Sequence, residues 1–278
     1  MKRFLPLLLI LSCEDSDSNS NVEFSDVWVK HRKISTDYYL GIDELMQTTS
    51  YNWDGNNCTV NTVSNFNQLQ DVEPYWDSTY HAQYTYNDFG FVTRIDGKPI
   101  GDTQISIDEY IDKWKVIKQT RIDTLGNTTS IVHYEWSGLT QTITGCEYTT
   151  CTDVGSYIEY NAYGKELAQY SATGILKMSK EYLDDSRRLL NWYGYTNDGE
   201  ISTHWEYTVW NGYDFVALLY TPLRGDPTIP EQKKEGRIDE YFNIVESTRF
   251  FFYNGEFTAP DRNIYTYDYD SPFEQIYP

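Results

Sequence analysis

The chain has 278 residues, with 42 acidic side chains against 22 basic for a formal charge of −20, and 46 aromatic residues of which 26 are tyrosine. That charge argues against nucleic acid and against an acidic membrane surface as partners, because both are gripped through clustered Lys and Arg. With 40% hydrophobic residues the chain can bury a core at this length, which excludes overall disorder.

Met1-Lys2-Arg3 is a short positive start, and Phe4 to Leu11 is an apolar run of eight residues. A membrane-spanning helix needs about 20, so the run reads as the core of a secretory signal. It ends in Ile10-Leu11-Ser12-Cys13, which resembles the bacterial lipobox, although Leu11 stands where that motif usually has a small residue. The resemblance implies a signal peptide over residues 1–13, with Cys13 lipidated as the mature N-terminus. An ordinary signal peptide with a coincidental cysteine is the alternative. Residues 14–24 follow as a tether, since Glu14 to Asn21 contains no apolar side chain and cannot pack. An acidic stretch at this place is similar to the surface-export signal of lipoproteins in Bacteroidetes-type bacteria. It implies an outer-membrane protein held only by its lipid, on the cell surface rather than the periplasmic face.

Residues 25–278 read as one β domain. Asp43 to Gln47 is the best helical candidate and is short. Asn52-x-Asp54-x-Asn56 has the alternate oxygen spacing of a calcium loop, but Asn57 and Val63 stand where an EF-hand needs glycine and glutamate. An Asx-rich turn is the simpler reading. Past residue 25 the apolar pattern has a period of two, and the repeat itself is absent from residues 25 to 80. Tyr84-Thr85-Tyr86 runs into Asn87-Asp88-Phe89-Gly90, Tyr157 to Tyr160 into Asn161-Ala162-Tyr163-Gly164, and Tyr193-Gly194-Tyr195 into Thr196-Asn197-Asp198-Gly199. Each unit is an aromatic strand, a turn that tolerates positive φ, and a return strand. These units resemble YD (RHS-type) repeats and the tyrosine-rich meanders of secreted bacterial lipoproteins, over about residues 80–215 with an echo at Tyr241 to Tyr269. The resemblance implies extended β-sheet at an extracellular surface and no single activity. The fold expected is an all-β antiparallel meander, either a twisted open sheet or a partly closed barrel.

Cys146 and Cys151 flank four residues, a spacing that a tight hairpin bridges in an oxidising compartment, and Cys58 is left over, either buried or, should that bridge not form, paired with one of them. Free thiols are the alternative. Tyr220 to Gly236, with Pro222, Pro227, Pro230 and the charged run Glu231 to Glu235, reads as a long exposed loop. The Arg224-Gly225-Asp226 tripeptide within it is too short to carry meaning.

No nucleophile, zinc, phosphate-loop or dinucleotide motif is present. His133/Glu135 and His204/Glu206 would converge on a metal only if their strands were neighbours; a solvated polar row explains them otherwise. The aromatic excess is the most informative feature. It serves a thin sheet core, or it offers a stripe on which sugar rings or peptide stack, with Trp136, Trp192, Trp205, Tyr207 and Trp210 as the candidates. The leading function is a non-enzymatic surface module for a glycan or protein partner. No cofactor is expected beyond a possible calcium ion. The alternatives are a structural envelope protein and a carboxylate-pair glycoside hydrolase.

Overall fold

A computed structural model describes residues 29–275 apart from 42, 65–78, 101–102, 184–186 and 224–225. The signal peptide, the tether, Cys13, Arg224 and Gly225 lie outside these residues. The described chain contains eighteen strands. The first six are β1 (Arg32–Leu40), β2 (Glu44–Asp54), β3 (Asn57–Ser64), β4 (Thr79–Tyr86), β5 (Val92–Ile100) and β6 (Thr103–Ile111). The middle six are β7 (Lys115–Asp123), β8 (Thr128–Ser137), β9 (Thr140–Glu147), β10 (Tyr157–Tyr160), β11 (Glu166–Tyr170) and β12 (Leu176–Tyr182). The last six are β13 (Leu189–Tyr195), β14 (Ile201–Asn211), β15 (Asp214–Tyr220), β16 (Gln232–Ile238), β17 (Ile244–Tyr253) and β18 (Glu256–Asp268).

Every strand pairs antiparallel with the next in sequence, and β18 returns to pair with β1 from Arg32↔Asp268 to Leu40↔Asp261. The meander is therefore a closed barrel, and closure removes the unpaired edges that an open sheet would present. Asp43 to Gln47 is not helical, because Glu44 begins β2 and Tyr39↔Leu45 is already a ladder pair. The charged run after Pro230 is also not loop. Gln232 begins β16, whose two phases are both polar and so hide the strand period from the sequence.

Six of the connections share one construction. In Asn87–Phe91, Asp123–Asn127, Asn161–Lys165, Thr196–Glu200 and Asp239–Asn243 a side-chain oxygen of the first residue accepts backbone N–H bonds from the third and fifth. Ser171 caps Ile175 in the same manner. The fourth residue has positive φ in all six: glycine in five, and Phe242 at φ 66° in the sixth. Beside each turn the ladder slips by one residue, as at Thr85/Tyr86, Glu159/Tyr160 and Gly194/Tyr195. A capped turn with a left-handed fourth residue and a bulge is a compact three-residue hairpin solution. The repeated Asx/Thr–x–x–Gly lettering encodes it.

Register and burial together separate the two faces of the wall. Cys58, Val60, Ala82, Phe215, Ala217, Leu219 and Ser247 mark the inner one, with Ala217 at 0% exposure. The other face carries the ion pairs Arg94–Asp96 (3.2 Å), Lys118–Glu109 (2.7 Å) and Lys233–Glu235 (2.8 Å). These pairs put charge on the outer face, where a membrane-spanning barrel carries an apolar band. Cys146 and Cys151 are disulfide-bonded, with Cα atoms 5.8 Å apart, and Cys58 is a buried free thiol pushed up to about 11 by burial.

One end of the barrel is sealed. Strand direction alternates, so the turns β4–β5, β6–β7, β10–β11, β12–β13 and β16–β17 gather there with both chain ends. Trp114 is the centre of a cluster with Phe89, Phe91, Trp136, Tyr160 and Tyr163. Arg187 lies 3.9 Å over the Phe242 ring and 5.4 Å from Tyr163. Lys30 lies 3.4 Å over Phe91 and donates to the Gly90 carbonyl (3.2 Å). Phe273, 6% exposed, sits on Gly90 and beside Trp53 and Tyr86 (5.6 Å each), with its N–H donating to Lys30 O (3.0 Å).

Candidate functional site

Trp192 on β13 faces Trp205 on β14 as a direct ladder pair, and Trp205 in turn faces Leu219 on β15. Lys180 on β12 faces Trp192 from the other side. One rung of the inner wall therefore reads Lys180, Trp192, Trp205, Leu219. Next to it runs a second rung, Tyr207, Ala217, Lys234, Arg249, Asp261, across β14 to β18. Between the two lies an open cavity of about 360 Å³ lined by Lys180, Leu189, Trp192, Trp205, Tyr207 and Lys234. Ala217, without a side chain beyond Cβ, leaves room between the larger residues on either side.

Charge in this region is balanced unevenly. Lys180 is paired with Glu166 at 2.6 Å, and Arg249 with Asp261 at 3.0 Å. Lys234 faces no carboxylate at salt-bridge distance among the described residues. Burial, and secondarily the Arg249 guanidinium, hold its ammonium below the usual lysine range. Burial also pushes up the Tyr207 hydroxyl, and with Glu166 second it pushes Tyr182 up to about 12.

Of the five aromatic candidates, Trp192, Trp205 and Tyr207 line the cavity. Trp210 supports it from behind, with its ring nearly parallel to Tyr207 (6.2 Å, 11°) and its indole N–H donating to Leu189 O (3.0 Å). Trp136 does not join them. It packs edge-on against Trp114 (5.2 Å, 88°) at the sealed end and donates to Val116 O (2.7 Å). The five do not form one stripe, because β8 and β13 are five places apart around the barrel.

A second aromatic row, not singled out by the sequence, lies on the opposite face. Tyr193 stacks on His204 (4.4 Å, 12°), His204 on Tyr220 (5.8 Å, 27°), and Tyr157 on Tyr170 (4.5 Å, 16°). The i, i+2 tyrosines 193 and 195 hinted at a row, but only the pairing of β10 to β15 aligns its members.

The two His–Glu pairs do not converge, being on β8 and β14. His133 contacts Glu147 (3.0 Å) and His204 contacts Asn191 (3.0 Å). In the Asn52–Asn56 stretch, Asn56 donates to Asp88 (2.8 Å) and accepts from Arg32 (3.4 Å), which ties the turn to its neighbours. Among the described residues no three His, Cys, Asp or Glu side chains gather as a metal site. Asp108, an inward carboxyl held above the usual range by burial, bonds to Gln119 (3.1 Å).

The fold and this cavity define a closed antiparallel β-barrel with an aromatic-lined inner site. No family model matches the chain, and no curated protein matches it. Among solved structures it is similar to a porin-like protein from Bacteroides uniformis, at 10% identity over 86% of this chain and 98% of that one, with a TM-score of 0.30. The TcdB2–TccC3 structure is similar at 11% identity and a TM-score of 0.32, over 84% of this chain and 15% of that one. A β-barrel-like protein with a domain of unknown function from Brucella abortus gives 8% and 0.24, over 87% and 98%. At these TM-scores the similarities assign neither an activity nor a site.

Proposed function

We propose that the protein is a non-enzymatic lipoprotein of the outer membrane, anchored through Cys13 and exposed at the cell surface, whose barrel binds a glycan. The observation that carries the binding role is the convergence of Trp192, Trp205 and Tyr207 on one open cavity. Flat aromatic faces take the apolar faces of sugar rings, and an open wall of this width admits a chain end. The leader supports the anchoring, and the acidic, apolar-free spacer supports a barrel held away from the lipid. The turn lettering supports kinship with YD-type repeats, and the six capped hairpins give that lettering a structural meaning. A protein partner at the surface is the second reading, favoured by the solvent-facing row of Tyr193, His204 and Tyr220.

A glycan-array screen of the full chain, run with calcium and again with EDTA, tests the proposal. Binding that falls at least tenfold on Trp205→Ala and survives EDTA is the expected result. A blank array in both conditions would overturn it and turn attention to the tyrosine row.

A further inference from the structure

We infer that the ligand of the inner cavity is an acidic saccharide, whose carboxylate is received by Lys234 while its ring lies on Trp192 and Trp205. The inference rests on the glycan-binding reading and narrows it. The interior of a chain with a net charge of −20 is an unexpected place for an unneutralised cation. Three cations occupy this part of the inner wall, and two of them are already neutralised. Glu166 holds Lys180 at 2.6 Å, and Asp261 holds Arg249 at 3.0 Å. The third, Lys234, has no carboxylate at salt-bridge distance among the described residues and lies 5.9 Å from the Phe215 ring. It stands opposite Ala217 and opposite Arg249, a residue too small to reach it and another cation.

A half-buried ammonium without an anion loses hydration and gains little in return. Its place on a ligand cavity makes an incoming carboxylate the partner that restores the balance. The aromatic lining sets the rest of the ligand: a ring with one apolar face, carrying its acid on the rim. Volume limits the size. A cavity of about 360 Å³ is at the small end of ligand pockets, roughly 300–1,000 Å³, so a terminal unit or short oligomer fits better than a polymer segment. Electrostatics agree, since a long polyanion would also meet the acidic exterior, whereas a short one is screened from it within about 8 Å at physiological salt.

Calorimetry on the full chain tests this with uronate tetrasaccharides (hyaluronan, alginate and polygalacturonate) and their carboxyl-reduced twins. At least one acidic form should bind at least tenfold tighter than its reduced twin. Lys234→Met should erase that difference without changing the circular dichroism spectrum, Lys234→Arg should keep most of it, and Trp205→Ala should weaken both forms. Equal affinity for acid and reduced twins, or an acid preference unmoved by Lys234→Met, overturns the inference and leaves the glycan reading standing. Failure of every acidic and reduced form to bind overturns both.

Discussion

At the scale of single residues, the interior places groups where their neighbours leave them few choices. Lys30 is the clearest case. Burial at the sealed end, with Lys165 as a second cause, brings its ammonium down to about 8. In the unfolded chain the group keeps its ordinary value near 10.5. Between these two values the unfolded chain holds the proton that the folded chain has lost, so stability rises with pH there and the burdened, protonated state persists below. Urea unfolding should show Lys30 adding about 2 kcal/mol between about pH 7.5 and 9.5. Lys30→Met should lose that increment; a slope unchanged by the substitution would show that Lys30 is not buried as described. Gly236 illustrates the same constraint sterically. It lies in the middle of β16 under the Phe215 ring, so an added Cβ would meet Phe215 Cζ and Cε1. Gly236→Ala should cost about 1–3 kcal/mol, and Phe215→Leu in the same chain should return part of it, as denaturation midpoints of the single and double variants will show.

At the scale of elements, the capped turn sets the barrel's rhythm. Asn161 illustrates its energetics, since its side-chain oxygen takes the N–H groups of Tyr163 (3.0 Å) and Lys165 (2.9 Å). Asn161→Ala removes both acceptor contacts and should cost about 1–2 kcal/mol, while Asn161→Asp keeps an oxygen in place and should cost much less. Equal losses for the two variants would mean that the turn depends on backbone geometry alone. Phe242 shows why the motif cannot be read from glycine alone. It takes the positive φ without being glycine, its N–H donates to Asp239 O (3.1 Å), and its ring packs under Arg187 at 3.9 Å.

At the scale of the whole molecule, closure depends on the chain ends. β1 pairs with β2 on one side and β18 on the other, and the segment after β18 folds back over the sealed end. Arg32 donates to the carbonyls of Ser271 and Pro272, and Phe273 fills the space above Gly90. Phe273→Ala should therefore cost about 3–5 kcal/mol and shift tryptophan emission to the red as water reaches Trp53. Retained stability with unshifted emission would show that the end is sealed without this residue.

Much of this was legible in the sequence, and the residues show why. Alternation in Tyr84-Thr85-Tyr86, the Asx/Thr–x–x–Gly turns and the Cys146/Cys151 spacing are local signals, because strand period and turn geometry are settled within about five residues. They were enough to read an all-β meander with short hairpins. Trp192, Trp205, Tyr207 and Trp210 were legible as a group for the same reason, being two strands of one hairpin. Trp136 was misplaced among them because its lettering copies theirs, while its position around the barrel depends on the four strands between β8 and β13. Lys234 was invisible, since a run of charges on both strand phases looks like a solvated loop until its neighbours show which phase points inward. The sequence by itself determined the all-β class and the hairpin turns from residue 80 onward, but not β16 or the start of β2. Only the tertiary structure decided that the sheet closes, which face is inside, and that Lys234, without a carboxylate partner among the described residues, lines one cavity with two tryptophans. Those outcomes depend on register summed around eighteen strands and on a β1–β18 pairing between opposite ends of the chain, and no local window of residues contains either.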